Sequence, residues 1–228
     1  MESVFCEDSS RQMLATLRTR LLVMFAHVGI ALDESGKALA QDDAARALAV
    51  QEGDAVIDDL ENEIDELCLR VMARLQPVAG DLRFVVAALR MVVDLERIGD
   101  EAAAIAERVL LLHELPIHEE DMRRLREMFA QARAAFAQAS DAFREEDAEA
   151  ALNLRADEDD ALQAEVALLQ ALMPMPGEDG KVSGDPRAAI HAMLIVRSLT
   201  RIWRRSANIA EQIYFMRHGA SLKHGRVK

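Results

Sequence analysis

The residues of this chain best suited to chemistry are carboxylates. Glu96 and Asp100 stand four positions apart at the end of a run whose Leu82, Val85, Leu89 and Val92 recur at i, i+3, i+7 and i+10, the spacing of one buried helical face. Extending that stripe brings both acids to the same side. Like charges at i, i+4 repel, and a carboxylate beside an apolar core is costly unless a cation neutralises it. An arginine or a metal ion would serve.

A second acidic row precedes it. Asp54, Asp58, Glu61 and Asp65 fall at i, i+4, i+7 and i+11, adjoining the apolar row of Ile57, Leu60, Ile64 and Leu67. Alone, such a row reads as the solvated face of an acidic protein. Pro77 to Gly80 make a tight connection, so the helices on either side of it are antiparallel neighbours, and residues equidistant from the turn face one another. Asp54 and Asp58 then approach Glu96 and Asp100. Four carboxylates across a helix pair form an oxygen-only site that suits Mg²⁺, Mn²⁺, Ca²⁺ or iron better than softer metals. No histidine follows a Glu at the i, i+3 spacing that di-iron carboxylate bundles use, which disfavours a redox di-iron enzyme.

The elements that position these acids are helices. Aromatic residues are only 4% of the chain, while 51% of its 228 residues are hydrophobic, enough for a substantial core. No segment alternates as a half-exposed strand does, so an all-α fold is expected. Six long helices are predicted: from a cap at Ser9 or Ser10 to about Ala40, from Asp42 or Asp43 to Gln76, Asp81–His113, His118–Glu145, Asp147–Met173, and Asp185 or Pro186 to His218. The Pro/Gly-rich stretch 174–186 is the clearest loop. In the first helix Leu14, Leu17, Leu21 and Met24 share a face.

The net charge of −13 gives no general attraction to nucleic acid or to anionic membrane. Cys6 and Cys68 have no paired spacing, which fits a reducing compartment. The N-terminus lacks the order of a signal peptide, and the apolar run from Leu21 to Leu32 reads as too short to span a bilayer. A cytoplasmic protein is expected.

The six helices fall into two similar triplets. Asp81-Leu82-Arg83 matches Asp185-Pro186-Arg187 at an offset of 104 (185 − 81), as do Arg97-Ile98 with Arg201-Ile202 and Ile105-Ala106-Glu107 with Ile209-Ala210-Glu211. Upstream, Asp58, Leu60, Ile64, Leu67 and Val71 match Asp160, Leu162, Val166, Leu169 and Met173 at an offset of 102 (160 − 58). Two tandem three-helix bundles are therefore expected, over residues 1–116 and 117–228.

Glu52-Gly53-Asp54, Asp65-Glu66-Leu67-Cys68-Leu69-Arg70, Gln76-Pro77-Val78-Ala79-Gly80-Asp81-Leu82-Arg83 and Asp94-Leu95-Glu96-Arg97-Ile98-Gly99-Asp100 together resemble the PhoU family, over essentially the whole chain. The resemblance implies a cytoplasmic, non-catalytic regulator of phosphate uptake and phosphate-starvation signalling, often a homodimer. It would link a phosphate ABC transporter ATPase to a sensor histidine kinase and meet the membrane only through those partners. It also implies a divalent metal or iron cluster (Mg, Mn, Fe, Zn or Ca) at Asp54, Asp58, Glu96 and Asp100. The competing reading is a metal-dependent hydrolase or oxidase built on the same carboxylates.

The second copy departs from the pattern. Thr200, Trp203 and Arg204 replace Glu96, Gly99 and Asp100, so one metal site is expected rather than two, with Arg204 supplying the cation toward Asp160. Arg197, Arg201, Arg204 and Arg205 form a basic row that reads either as a solvated stripe favoured by the helix dipole or as a docking surface for an acidic or phosphate-bearing partner. Trp203 reads as a packing anchor, and Met72, Met91, Met173 and Met193 as core filler.

Overall fold

The computed structural model of the chain describes residues 2–156, 158–173 and 185–220. Within them the backbone forms helices α1 (Glu2–Gln41), α2 (Ala44–Gly53), α3 (Ala55–Leu75), α4 (Ala79–Leu112), α5 (Glu119–Glu145), α6 (Ala148–Ala156), α7 (Glu158–Leu172) and α8 (Pro186–His218). Each half is a three-helix bundle whose middle member is broken in two: α1, α2–α3 and α4, then α5, α6–α7 and α8.

Local chemistry sets the boundaries. Asp43 caps α2, its carboxylate accepting from the Arg46 N–H at 3.0 Å, and Asp147 accepts from the N–H groups of Glu149 and Ala150 at the start of α6. Asp185 caps α8 with Pro186 in its first turn, where no amide hydrogen is needed. Gly219 closes α8 at φ 70°, a backbone geometry glycine adopts freely.

Three boundaries differ from the sequence expectation. The first helix begins at Glu2, not at Ser9 or Ser10, since the sequence upstream of those serines has no Pro or Gly to break it. The predicted second helix is interrupted at Asp54. Gly53 weakens the helix there, the Asp54 N–H reaches back only to Gln51 O at 3.4 Å, and the Ile57 N–H bonds Asp54 O at 2.8 Å in a tighter turn. The predicted fifth helix is likewise two elements, α6 and α7. The loop expected over 174–186 falls almost wholly outside the described residues.

α4 is the central element. It packs against α1, α2 and α3 on one side and α8 on the other. Val85, Val92, Leu95, Ile98, Ala102 and Ile105 are fully buried, as are Ala87, Ala88 and Met91. Its burial is therefore wider than one stripe, and the predicted row is shifted: Leu82 is exposed and Leu89 only half-buried. Phe25 of α1 stacks on Phe143 of α5 with ring centroids 5.1 Å apart and meets Phe136 at 6.0 Å, joining the two halves in one core. Of the methionines, Met91 is buried and Met72 and Met193 pack on the core, but Met173 is exposed.

Over Arg11–Gln41 α1 is long and apolar enough to cross a bilayer by composition, more than the expectation from Leu21–Leu32 allowed. The stretch extends upstream of Leu21 through Met13, Leu14, Ala15 and Leu17 and takes in Arg18 and Arg20. The fold uses that surface otherwise: Leu17, Leu21, Met24, Phe25, Val28 and Leu32 lie in the core.

Candidate metal site

The α3–α4 pair is unusually close at one point. A β-carbon on Gly99 would stand 2.8 Å from Ile57 Cδ1 and 3.5 Å from Asp54 Oδ1. The missing side chain lets the break at Asp54 press against α4, which brings the acids of both helices to one seam.

The acids of the two helices come within charge–charge reach of one another. Glu96 has a side chain only 16% exposed, and its pKa is pushed up to about 7, first by burial and then by Asp100 and Glu61, against the pull of Arg97. Asp54 is raised by burial and by the charges of Asp58 and Asp100. Glu61 is raised by burial, then by Asp65 and Asp58 with a smaller contribution from Asp100, while Arg97 opposes. Across the helix pair Asp54 and Glu61 feel Asp100, and Glu96 feels Glu61, while Asp58 and Asp65 act on their neighbours along α3. Arg97 is the local counter-charge, 3.3 Å from Glu96 and 3.5 Å from Asp100. One guanidinium faces several carboxylates, so negative charge is in excess.

The expected cage is not preassembled. Among the described residues no three Asp, Glu, His or Cys side chains stand close enough to share one ion. What the seam offers is a set of hard oxygen donors with unneutralised charge, and that chemistry fits a hard divalent cation.

The second half holds a different surface. A groove of about 200 Å³ between α1 and α2–α3 is lined by His27, Ile30, Ala31, Glu34, Val50 and Ile57 among others. A groove of about 360 Å³ between α5 and α6–α7 is lined by Gln131, Ala134, Ala135, Gln138, Leu154 and Ala161. These are the same six positions at one offset of 104 (131 − 27, 161 − 57). The copies therefore align without the two-residue slip expected upstream, and Leu162, not Asp160, is the counterpart of Asp58. The charge–charge attraction between Glu61 and Arg97 recurs between Glu165 and Arg201 at that offset. Trp203, buried in the place of Gly99, lines the second groove, so it is a packing residue. The pairing of Arg204 with Asp160 lies outside the described residues.

The basic row of α8 divides. Arg201 pairs with Glu101, its Nη2 2.7 Å from the carboxylate. Arg205 Nη1 donates to Asp94 Oδ1 at 2.9 Å, and Asn208 donates to the same oxygen at 3.5 Å. These bonds clamp α8 to α4. Arg197 and Arg204 are exposed and make no ion pair among the described residues. The sequence reading missed Asp94 and Glu101 as partners of the two arginines, because the pairs form between residues about a hundred positions apart.

Comparisons with known proteins agree with this architecture. The chain matches the PhoU domain family twice, over residues 21–109 and 125–213, again 104 apart (125 − 21). A phosphate-specific transport system accessory protein PhoU homolog of Pseudomonas aeruginosa is 34% identical over 215 residues, 92% of this chain and 86% of that protein. The accessory protein PhoU of Escherichia coli (strain K12) is 29% identical over 211 residues, 92% of this chain and 86% of its own. The crystal structure of PhoU from Pseudomonas aeruginosa superposes with a TM-score of 0.85 at 32% identity, covering 92% of this chain and 99% of that one. The phosphate transport system regulatory protein PhoU from Streptococcus pneumoniae gives 0.84 at 26% identity, covering 94% and 99%.

Proposed function

The chain belongs to the PhoU family, and from that footing we propose that it is a cytoplasmic regulator that represses the phosphate-starvation response while phosphate is plentiful. The family is one of accessory regulators, so the alternative of a hydrolase or oxidase on the same carboxylates gives way. The observation that carries the reading is the two-domain match across the chain, together with an accessory protein of phosphate transport 34% identical to it.

In this reading the chain acts as a homodimer and links the ATPase of a phosphate ABC transporter to a sensor histidine kinase. Deleting the chain in phosphate-replete cells is expected to switch on a phosphate-starvation reporter, and restoring it to switch the reporter off. A reporter indifferent to both would overturn the reading.

The excess of carboxylates at the α3–α4 seam supports one divalent cation or iron cluster per chain, held by Asp54, Asp58, Glu96 and Asp100. A bound cation would supply the positive charge that Arg97 alone does not. Titration with Mn²⁺ is expected to show one strong site, weakened at least tenfold by Asp100→Asn. Two equal sites per chain would contradict the assignment.

A further inference from the structure

The site equivalent to the acidic seam, on the second half, has the opposite character. At the constant offset of 104, Leu162 and Val166 of α7 stand where α3 has Asp58 and Asn62, and Arg204 of α8 stands where α4 has Asp100. Ile190 and Leu194 take the places of Val86 and Arg90, and Arg197 that of Val93.

These apolar side chains are not used by the core. Ile190 is 56% exposed, Val166 49% and Leu162 41%. Ile190, Leu194, Arg197, Arg201 and Arg204 run at i, i+4, i+7, i+11 and i+14 along one side of α8. α7 packs beside that helix, and Glu165, between Leu162 and Leu169, lies within charge–charge reach of Arg201 of the same row. At the same offset Leu162 stands level with Arg204, as Asp58 does with Asp100, and Ile190 and Leu194 lie further along α8, so apolar and cationic side chains share one exposed face of the kind that receives an amphipathic helix.

We propose that this face, formed by Leu162 and Val166 of α7 with Ile190, Leu194, Arg197 and Arg204 of α8, docks an acidic amphipathic helix of a partner protein. The apolar residues at helical spacing supply the anchors, and the two arginines without partners among the described residues select acidic flanks and fix the register. A bilayer fits less well. The face is aliphatic, without the Trp or Tyr that membrane surfaces favour, it carries two arginines that make no ion pair among the described residues, and the chain has a net charge of −13. The acidic seam of a second copy carries Leu82 and Val93, 42% and 44% exposed, in line with Glu96 and Asp100, so self-association is the competing outcome that the test below separates.

The proposal rests on the accessory-protein reading only in requiring a partner. The test places a photo-activated cross-linking residue at Leu194 of the full-length chain in its own cells, with the same probe at exposed Leu111 as control. Adducts at Leu194 are expected on a segment of another protein that is rich in Asp and Glu and has apolar residues three or four apart. Their yield should fall at least tenfold in Arg197→Glu/Arg204→Glu and less in the milder Arg197→Gln/Arg204→Gln, with the melting temperature unchanged in both. Lipid adducts, adducts to residues 54–100 of a second copy, a yield no higher than at Leu111, or indifference to charge reversal would each overturn it. A partner unrelated to phosphate uptake would keep the docking face and unseat the phosphate reading. Loss of reporter control on deletion, with no adduct at Leu194, would keep the phosphate reading and sink the docking face.

Discussion

Gly99 of α4 lies directly against Ile57 of α3, with no room for so much as a methyl group between them. Ile57 is only 2% exposed and cannot swing away. Gly99→Ala gains roughly 1 kcal/mol of helix propensity. Overpacking is the larger effect, so we expect a net loss of about 1–2 kcal/mol in urea unfolding. Adding Ile57→Val should recover part of it, and a Gly99→Ala chain as stable as the parent would show that the seam can open.

Glu96 gives the protein a pH dependence of definite sign. Its folded pKa of about 7 lies above the ordinary 4.5, so the folded form binds this proton more tightly than the unfolded form does. Its contribution to stability is complete below pH 4.5 and is lost as pH rises through 7. In chelator-treated protein, the fall in the urea midpoint between pH 5 and 7.5 should be shallower for Glu96→Gln than for the parent. Equal slopes would remove Glu96 as the cause.

The bond from Arg205 to Asp94 ties α8 to α4 in a partly sheltered setting, the Asp94 side chain being 14% exposed. Arg205→Ala removes the charged donor to that carboxylate while Asn208 still reaches it, with an expected cost of about 1 kcal/mol. Combined with Asp94→Asn the loss should be clearly less than the sum of the two single changes. Strict additivity in a double-mutant cycle would mean that the pair is decorative.

Cys68 is fully buried, and burial with the nearby charge of Asp65 pushes its thiol up to about 12. It should therefore be a protonated, inert thiol in the native protein. In a Cys6→Ser background, labelling by a thiol reagent at pH 8 is expected to follow global unfolding, with a rate that rises with urea as the unfolding rate does. Prompt labelling in buffer would reveal local opening of α3.

Much of this was legible from residue spacing. The alternation of long apolar-faced segments with Pro, Gly and Asp gave an all-α fold in two similar halves, and the two acidic rows pointed to the seam where Glu96 meets Asp100. Spacing missed what depends on neighbours. It put Leu82 in a single buried stripe because it could not see that α4 is covered from two sides. It ran one helix through Asp54, since a break after Gly53 is settled by packing against Gly99. Pairing Asp58 with Asp160 followed a weak local match, and only the two equivalent grooves fixed the register. The basic row of α8 looked uniform because the acids that occupy Arg201 and Arg205 sit about a hundred residues away in the chain.

The packing of α4 on α8 also bears on how the two halves hold together. They are linked in the chain only by the short stretch between Leu112 and Glu119, yet across space they share the most extensive helix contact in the fold. That tether is then dispensable once folding is done. A protease nick there should leave a noncovalent heterodimer that melts in one step, and gene fragments ending and starting at the tether should complement each other when co-expressed.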